Sequence, residues 1–199
     1  MKELHQPLAI RINHWVMAVG VLVLTVTGFH LSQPYPWLAV KMSSVRKVHF
    51  IFGFIVLANL VAHIAFYVIT KTYNDILLRW RDIKDTPSFI KYFLFVSEPH
   101  PNFGKYNPGQ RLIFCSWAVA LIVGGTAGLA AFFPAKAGLV IKLFGGLQGI
   151  KWTKYLTGVF FASTIPIHIY LVFFEDPAKL QAMFTGYVRK VKQNRERRG

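Results

Sequence analysis

Seven histidines stand at positions 5, 14, 30, 49, 63, 100 and 168, and four of them, His14, His49, His63 and His168, fall inside long apolar runs. An ionisable side chain in hydrocarbon is costly, so its presence there marks function by default. One such histidine can be explained by a hydrogen bond between helices. Four together, in runs with almost no acidic residues, point to ligation. Neutral imidazole is a good axial ligand for iron, and a haem plate between helices needs one histidine from each side. Cys115 is the only cysteine, which rules out an internal disulfide and a cysteine-rich zinc or iron–sulfur site within the chain. Any iron–sulfur cluster must therefore sit on a partner.

The elements that would position these histidines are apolar spans. Of the 199 residues, 54% are hydrophobic and only 16% charged, against about a quarter charged in a soluble domain. Runs at about 12–31, 48–69, 112–133 and 155–174 are each long enough to cross roughly 30 Å of hydrocarbon at 1.5 Å per residue. Backbone amides in lipid must be paired within the segment, so the spans are helices. The expected fold is all-α: an integral membrane four-helix bundle, one transmembrane domain over residues 1–199. The formal charge of +15 lies in the segments that flank the spans, so anionic lipid head groups are a simpler partner than nucleic acid. If the N-terminus is cytoplasmic, the inner segments hold sixteen of the 23 Lys and Arg residues, which predicts both termini inside. The loop 70–111 carries DILLRWRD and FIKYFLFV, mixed basic and apolar stretches expected to lie at the cytoplasmic interface. The tail 177–199 is strongly basic and reads as a topology anchor.

Spacing then assigns depth. His49 and His63 are 14 residues apart, within about 40° of one helix face and roughly 21 Å apart along the axis. With this topology His14, His63 and His168 lie towards the inner side and are candidates for one haem; His49 is the candidate for an outer one. Gly20 and Gly53 fit either the close approach of a macrocycle or close helix packing, since glycine costs about 1 kcal/mol inside a helix. Gly124, Gly125 and Gly128 form a small-residue surface suited to helix packing. The third span has no histidine and should support the bundle without ligating.

Several motifs resemble a known family. Arg11-Ile12-Asn13-His14-Trp15 with Thr27-Gly28, Arg46-Lys47-Val48-His49 with Gly53, Gly104-Lys105-Tyr106-Asn107-Pro108-Gly109-Gln110-Arg111, and His168-Ile169-Tyr170 with Glu175-Asp176 occur in order along the chain. They resemble the cytochrome b (gamma) subunits of membrane-bound formate dehydrogenases and nickel–iron hydrogenases. The resemblance implies a multi-pass protein of a bacterial-type inner membrane with two haems b. It implies an inner haem on His14 and His168, and an outer haem on His49 and a fourth-helix ligand 14 residues before the last histidine. That position is Lys154 here, which leaves the outer haem either absent or bound with altered ligation. His63 departs from the family pattern and could replace or crowd an inner ligand. His30 could face His49 or serve as an interfacial hydrogen-bonding residue.

The same resemblance implies a quinone site near the inner haem. Asn107 and Gln110 have amides that can donate to a quinone carbonyl and accept from a quinol hydroxyl; capping the third span is the other role open to Asn107. The expected function is a haem b anchor subunit. It would pass electrons between an iron–sulfur partner, attached to a catalytic oxidoreductase subunit, and quinone such as menaquinone. The alternatives are a self-contained small cytochrome b and a haem-free anchor or transporter; unbroken helices fit a transporter poorly.

Overall fold

In the computed structural model, residues 2–93, 106–174 and 177–189 are described. The end of FIKYFLFV, His100, Gly104-Lys105, Glu175-Asp176 and the last ten residues of the tail lie outside them. Four long helices carry the spans: α1 (Leu8–Ser32), α2 (Met42–Ile69), α4 (Pro108–Phe132) and α6 (Gly146–Phe174). Shorter helices α3 (Trp80–Phe93), α5 (Gly138–Leu143) and α7 (Pro177–Thr185) connect and follow them. A three-residue strand at each end of the described chain, β1 (Lys2–Leu4) and β2 (Tyr187–Arg189), pairs antiparallel.

Each long helix begins four to nine residues before the apolar run that announced it. Apolarity marks the hydrocarbon, whereas the helix continues until its terminal amides find other partners. At α4 that partner is Asn107. Its side-chain oxygen accepts from the Gln110 N–H at 2.8 Å, Gln110 Oε1 accepts from the Asn107 N–H at 3.1 Å, and Pro108 follows as the first helical residue. At α6 the turn is made by Gly145 and Gly146, at φ of 80° and 87°, a region open to glycine at little cost. Asn107→Ala should therefore cost about 1 kcal/mol of stability and Asn107→Gly only a few tenths. Denaturant unfolding in detergent micelles checks this, and equal losses would refute the capping role.

The bundle is a ring in which α1 packs on α2, α2 on α4, α4 on α6 and α6 back on α1, leaving α2 and α6 on a diagonal. Contacts fix the directions. Asn59 Nδ2 donates to the Asn13 carbonyl at 2.9 Å and Thr27 Oγ1 lies 2.8 Å from His49 Nδ1, so α1 and α2 are antiparallel. Trp117 pairs with Thr164, and Gly124 with Thr157, so α4 and α6 are antiparallel too. Along α2 and α4, Leu57 meets Gly125 and Phe50 meets Phe132. The helices α2 and α6 consequently run the same way.

Glycine sites resolve differently. A Cβ on Gly20 would stand 2.4 Å from Val56 Cγ2, and one on Gly125 the same distance from Leu57 Cδ2, so both are seats for a neighbouring helix. A Cβ on Gly128 would meet nothing within 4 Å, and one on Gly53 only Leu24 Cδ2 at 4.0 Å. The outer faces of the bundle carry Leu22, Val26, Ile51, Val61, Val119, Ile122 and Leu156, all exposed. Apolar surface of that extent is what lipid covers, and all four helices are long and apolar enough to span.

Candidate functional site

The antiparallel packing sorts the histidines into two ends of the bundle. His14 lies within electrostatic reach of both His168 and His63. Three residues from α1, α2 and α6 thus converge at the end where Asn13 meets Asn59. His49 sits at the opposite end beside Thr27 and Gly28, within electrostatic reach of Lys154 on α6.

Two tryptophans hold His168 and His14 edge-on. The Trp117 ring, from α4, meets His168 at 5.1 Å between centroids, and its Nε1–H donates to Thr164 Oγ1 at 2.9 Å. Trp15 stands against His14 at 5.1 Å and against Phe184 at 4.8 Å. His63 packs on Tyr67, one turn further along α2, at 5.0 Å. His14 Nδ1 is buried with no hydrogen-bond partner among the described residues. Buried polar atoms are nearly always paired, so this imidazole is held for something other than the protein's own hydrogen bonding.

The two ends of the described chain close over this region. Arg11 donates through Nε to the Met183 carbonyl at 3.2 Å and through Nη2 to the Phe184 carbonyl, and Trp15 Nε1 donates to Met183 at 3.3 Å. These are the free carbonyls at the end of α7, where a cation is favourable. Gln6, buried, donates to the Tyr106 hydroxyl at 3.0 Å. Burial foremost pushes that hydroxyl above its ordinary pKa, against the opposing Gln6 bond. The Arg11 to Trp15 motif therefore does more than present His14: it anchors the segment that follows the last span. Neither this docking nor the Trp117 contact is written in local spacing, since both join residues far apart in sequence.

Asn107 and Gln110 stand at the start of α4 with both side-chain oxygens committed to the capping box, and Lys179 Nζ also donates to Gln110 Oε1 at 3.2 Å. Their –NH2 groups are what remains for a bound carbonyl. His30 is 2% exposed, and its Nδ1 accepts from the Tyr35 N–H at 3.1 Å. That bond places its proton on Nε2, so His30 is a hydrogen-bonding residue at the turn after α1. His49 also has a partner at Nδ1. Thr27 Oγ1 lies 2.6 Å from the Val23 carbonyl and 2.8 Å from His49 Nδ1, a placement in which it can donate to the carbonyl and accept from an imidazole N–H. With that tautomer His49 Nε2 carries the lone pair, the usual arrangement of a ligating imidazole with an oriented second nitrogen.

The family model of prokaryotic cytochrome b561 matches residues 5–186. A probable Ni/Fe-hydrogenase B-type cytochrome subunit of Azotobacter vinelandii is 22% identical over 203 residues, which cover 90% of this chain and 83% of the relative. Proteins bearing the same name from Cupriavidus necator and Bradyrhizobium diazoefficiens are 23% and 22% identical, over 89% and 94% of this chain and 83% and 84% of theirs.

Proposed function

Because this chain belongs to the prokaryotic cytochrome b561 family, we propose that it is a haem b electron-transfer subunit linking the iron–sulfur subunit of a partner oxidoreductase to membrane quinone. The observation that carries this reading is the convergence of His14, His63 and His168, with an unpaired buried nitrogen on His14. The donor set suits haem b: imidazoles from neighbouring helices, edge-packed by Trp15 and Trp117. In this reading His14 and His168 would hold the haem iron, and His63 stands by as a third imidazole. When bound there, haem supplies one-electron transfer between the bundle's interior and its inner surface.

The chain's own residues would do the rest. Trp117 and Thr164 hold the His168 ring in place. The amides of Asn107 and Gln110 donate to a quinone carbonyl, menaquinone or a relative, at the start of α4. With both termini in the cytoplasm, protons for quinone reduction enter from that side. The relatives' names point to a hydrogenase as the catalytic partner, and the motif around Asn107 keeps a formate dehydrogenase as the other choice. Either places the chain in an inner membrane.

Reduced-minus-oxidised spectra of the purified protein should show the absorption bands of a b-type cytochrome, and a water-soluble quinol should reduce it in proteoliposomes. Absence of b-type bands would overturn the haem reading. Bands that quinol cannot reduce, with Asn107 and Gln110 intact, would overturn the quinone reading alone.

A further inference from the structure

The short helix α3 lies across the start of α4. The Phe89 ring is seated on Gly109, where a Cβ would stand 2.7 Å from it, and Asp82 pairs with Arg111. Arg111 directly precedes Leu112, where the apolar run of α4 begins, and Gly109 stands two residues before Arg111. At 1.5 Å per residue both contacts fall within one turn of the hydrocarbon, at the level of lipid head groups.

Successive residues of a helix turn by about 100°, which divides α3 into three sectors. Asp82, Thr86 and Phe89 share the sector turned to the protein: Asp82 is buried, Thr86 and Phe89 half-buried. Trp80, Ile83, Pro87 and Ile90 recur at helical spacing in the next sector, and all four are exposed, Trp80 at 81%. Beyond that stripe stand Lys84 and Lys91, both exposed, within about 20° of one line and about 10 Å apart along the axis. The acidic residues of the helix do not offset them. Asp82 is taken by Arg79 and Arg111, and Asp85 pairs with Arg81 at 3.5 Å. An apolar stripe beside a row of lysines is the form of a helix that lies in a membrane surface.

We propose that α3 is a docking surface for anionic phospholipid. The stripe from Trp80 to Ile90 sinks among the acyl chains, and Lys84 and Lys91 each take the phosphate of a negatively charged lipid. Charge complementarity decides the occupant. A zwitterionic surface would cover the stripe but give the two lysines no net opposite charge. The inference needs only the membrane spans and is independent of haem and quinone.

The full chain is reconstituted in nanodiscs of phosphatidylcholine with a minor share of phosphatidylglycerol, brominated on the chains of one lipid or of the other. The difference in tryptophan fluorescence between wild type and Trp80→Phe isolates Trp80, whose exposure lets it be replaced without touching the core. Both brominated lipids should quench Trp80. The anionic one should do so out of proportion to its share, with a local enrichment on the order of fivefold for each lysine. Raised salt should shrink that enrichment. Lys84→Gln combined with Lys91→Gln should abolish it and leave quenching by phosphatidylcholine in place. Quenching in strict proportion to lipid share in the wild type would overturn the proposal, as would an enrichment that survives in the double variant. A Trp80 that neither lipid quenches would overturn it too. If acrylamide then reaches Trp80, the stripe faces water; if acrylamide is also excluded, another protein covers it.

Discussion

The His168→Ala variant should lose the whole low-spin signal of the haem proposed between His14 and His168 while its four helices persist. The imidazole leaves, but the contacts that hold its helix do not pass through it. Trp117 keeps its hydrogen bond to Thr164, and Phe161 stays in the core cluster with Val21 and Val56. The His14→Ala variant should produce the same spectral loss from the other face. Its helix is held independently by Asn59 on the Asn13 carbonyl and by Arg11 on the end of α7. Far-ultraviolet circular dichroism on the same samples separates loss of ligand from loss of fold. Replacing His30 should leave the spectrum untouched, because its Nδ1 already serves the Tyr35 amide. An unchanged haem spectrum in His168→Ala, with intact helicity, would refute the axial assignment and turn attention to His63, which shares that end of the bundle.

Which histidines share an end of the bundle was legible because helical rise and hydropathy are both local quantities: counting residues along an apolar run sets how far each side chain stands from the end of its span. The convergence of His14, His63 and His168, and the separation of His49, follow from that count together with antiparallel packing. The helix starts were not legible in the same way. Asn107 lies five residues ahead of an apolar run that begins at Leu112, with Arg111 between, and only the reciprocal bonds with Gln110 show that the helix already includes Pro108. Sequence left Asn107 between capping and quinone binding; its oxygen is committed to the cap. Gly20 could be assigned to neither packing nor a macrocycle until Val56 was found against it. The long-range ties were out of reach altogether. Nothing around Arg11 announces that its guanidinium seats on carbonyls more than 170 residues later, and nothing in the third span marks Trp117 as the residue that orients His168.

The same holds for the loop that sequence placed at the membrane interface. It does carry an outward apolar side, with Trp80, Ile83 and Ile90 exposed, yet its anchor is polar and buried. Asp82 is 3% exposed and lies in the first turn of α3, where a carboxylate is favoured by the helix dipole. It accepts from the Arg79 N–H at 2.7 Å and from the Arg79 guanidinium at 3.4 Å, and pairs with Arg111 Nε at 3.6 Å. Arg111, equally buried, donates to the Asn74 and Leu77 carbonyls at 2.9 and 3.2 Å. One guanidinium therefore ties the loop to the start of α4, next to the capping box. Burial alone would raise the Asp82 pKa, but the bonds from Arg79 and the charges of Arg111 and Arg79 outweigh it and hold it below the usual carboxylate range. A depressed carboxylate pKa stabilises the folded state above its unfolded value, and that contribution is lost as pH falls through the folded one. The loop should accordingly stay docked at neutral pH and loosen only below about pH 4. Arg111→Met should have the larger effect at neutral pH, on the order of 3 kcal/mol, because it strips a buried carboxylate of one cation and two carbonyls of their donor while Arg79 remains. Amide hydrogen exchange across residues 73–93 would read both. Faster exchange in Arg111→Met at neutral pH, and in the wild type on acidification, is the expected pattern. Asp82→Asn should exchange faster at neutral pH and lose the acid dependence, since it has no proton to gain. Acid loosening retained in Asp82→Asn would show that another group controls the loop, and unchanged protection in Arg111→Met would show that the loop is held by its apolar face alone.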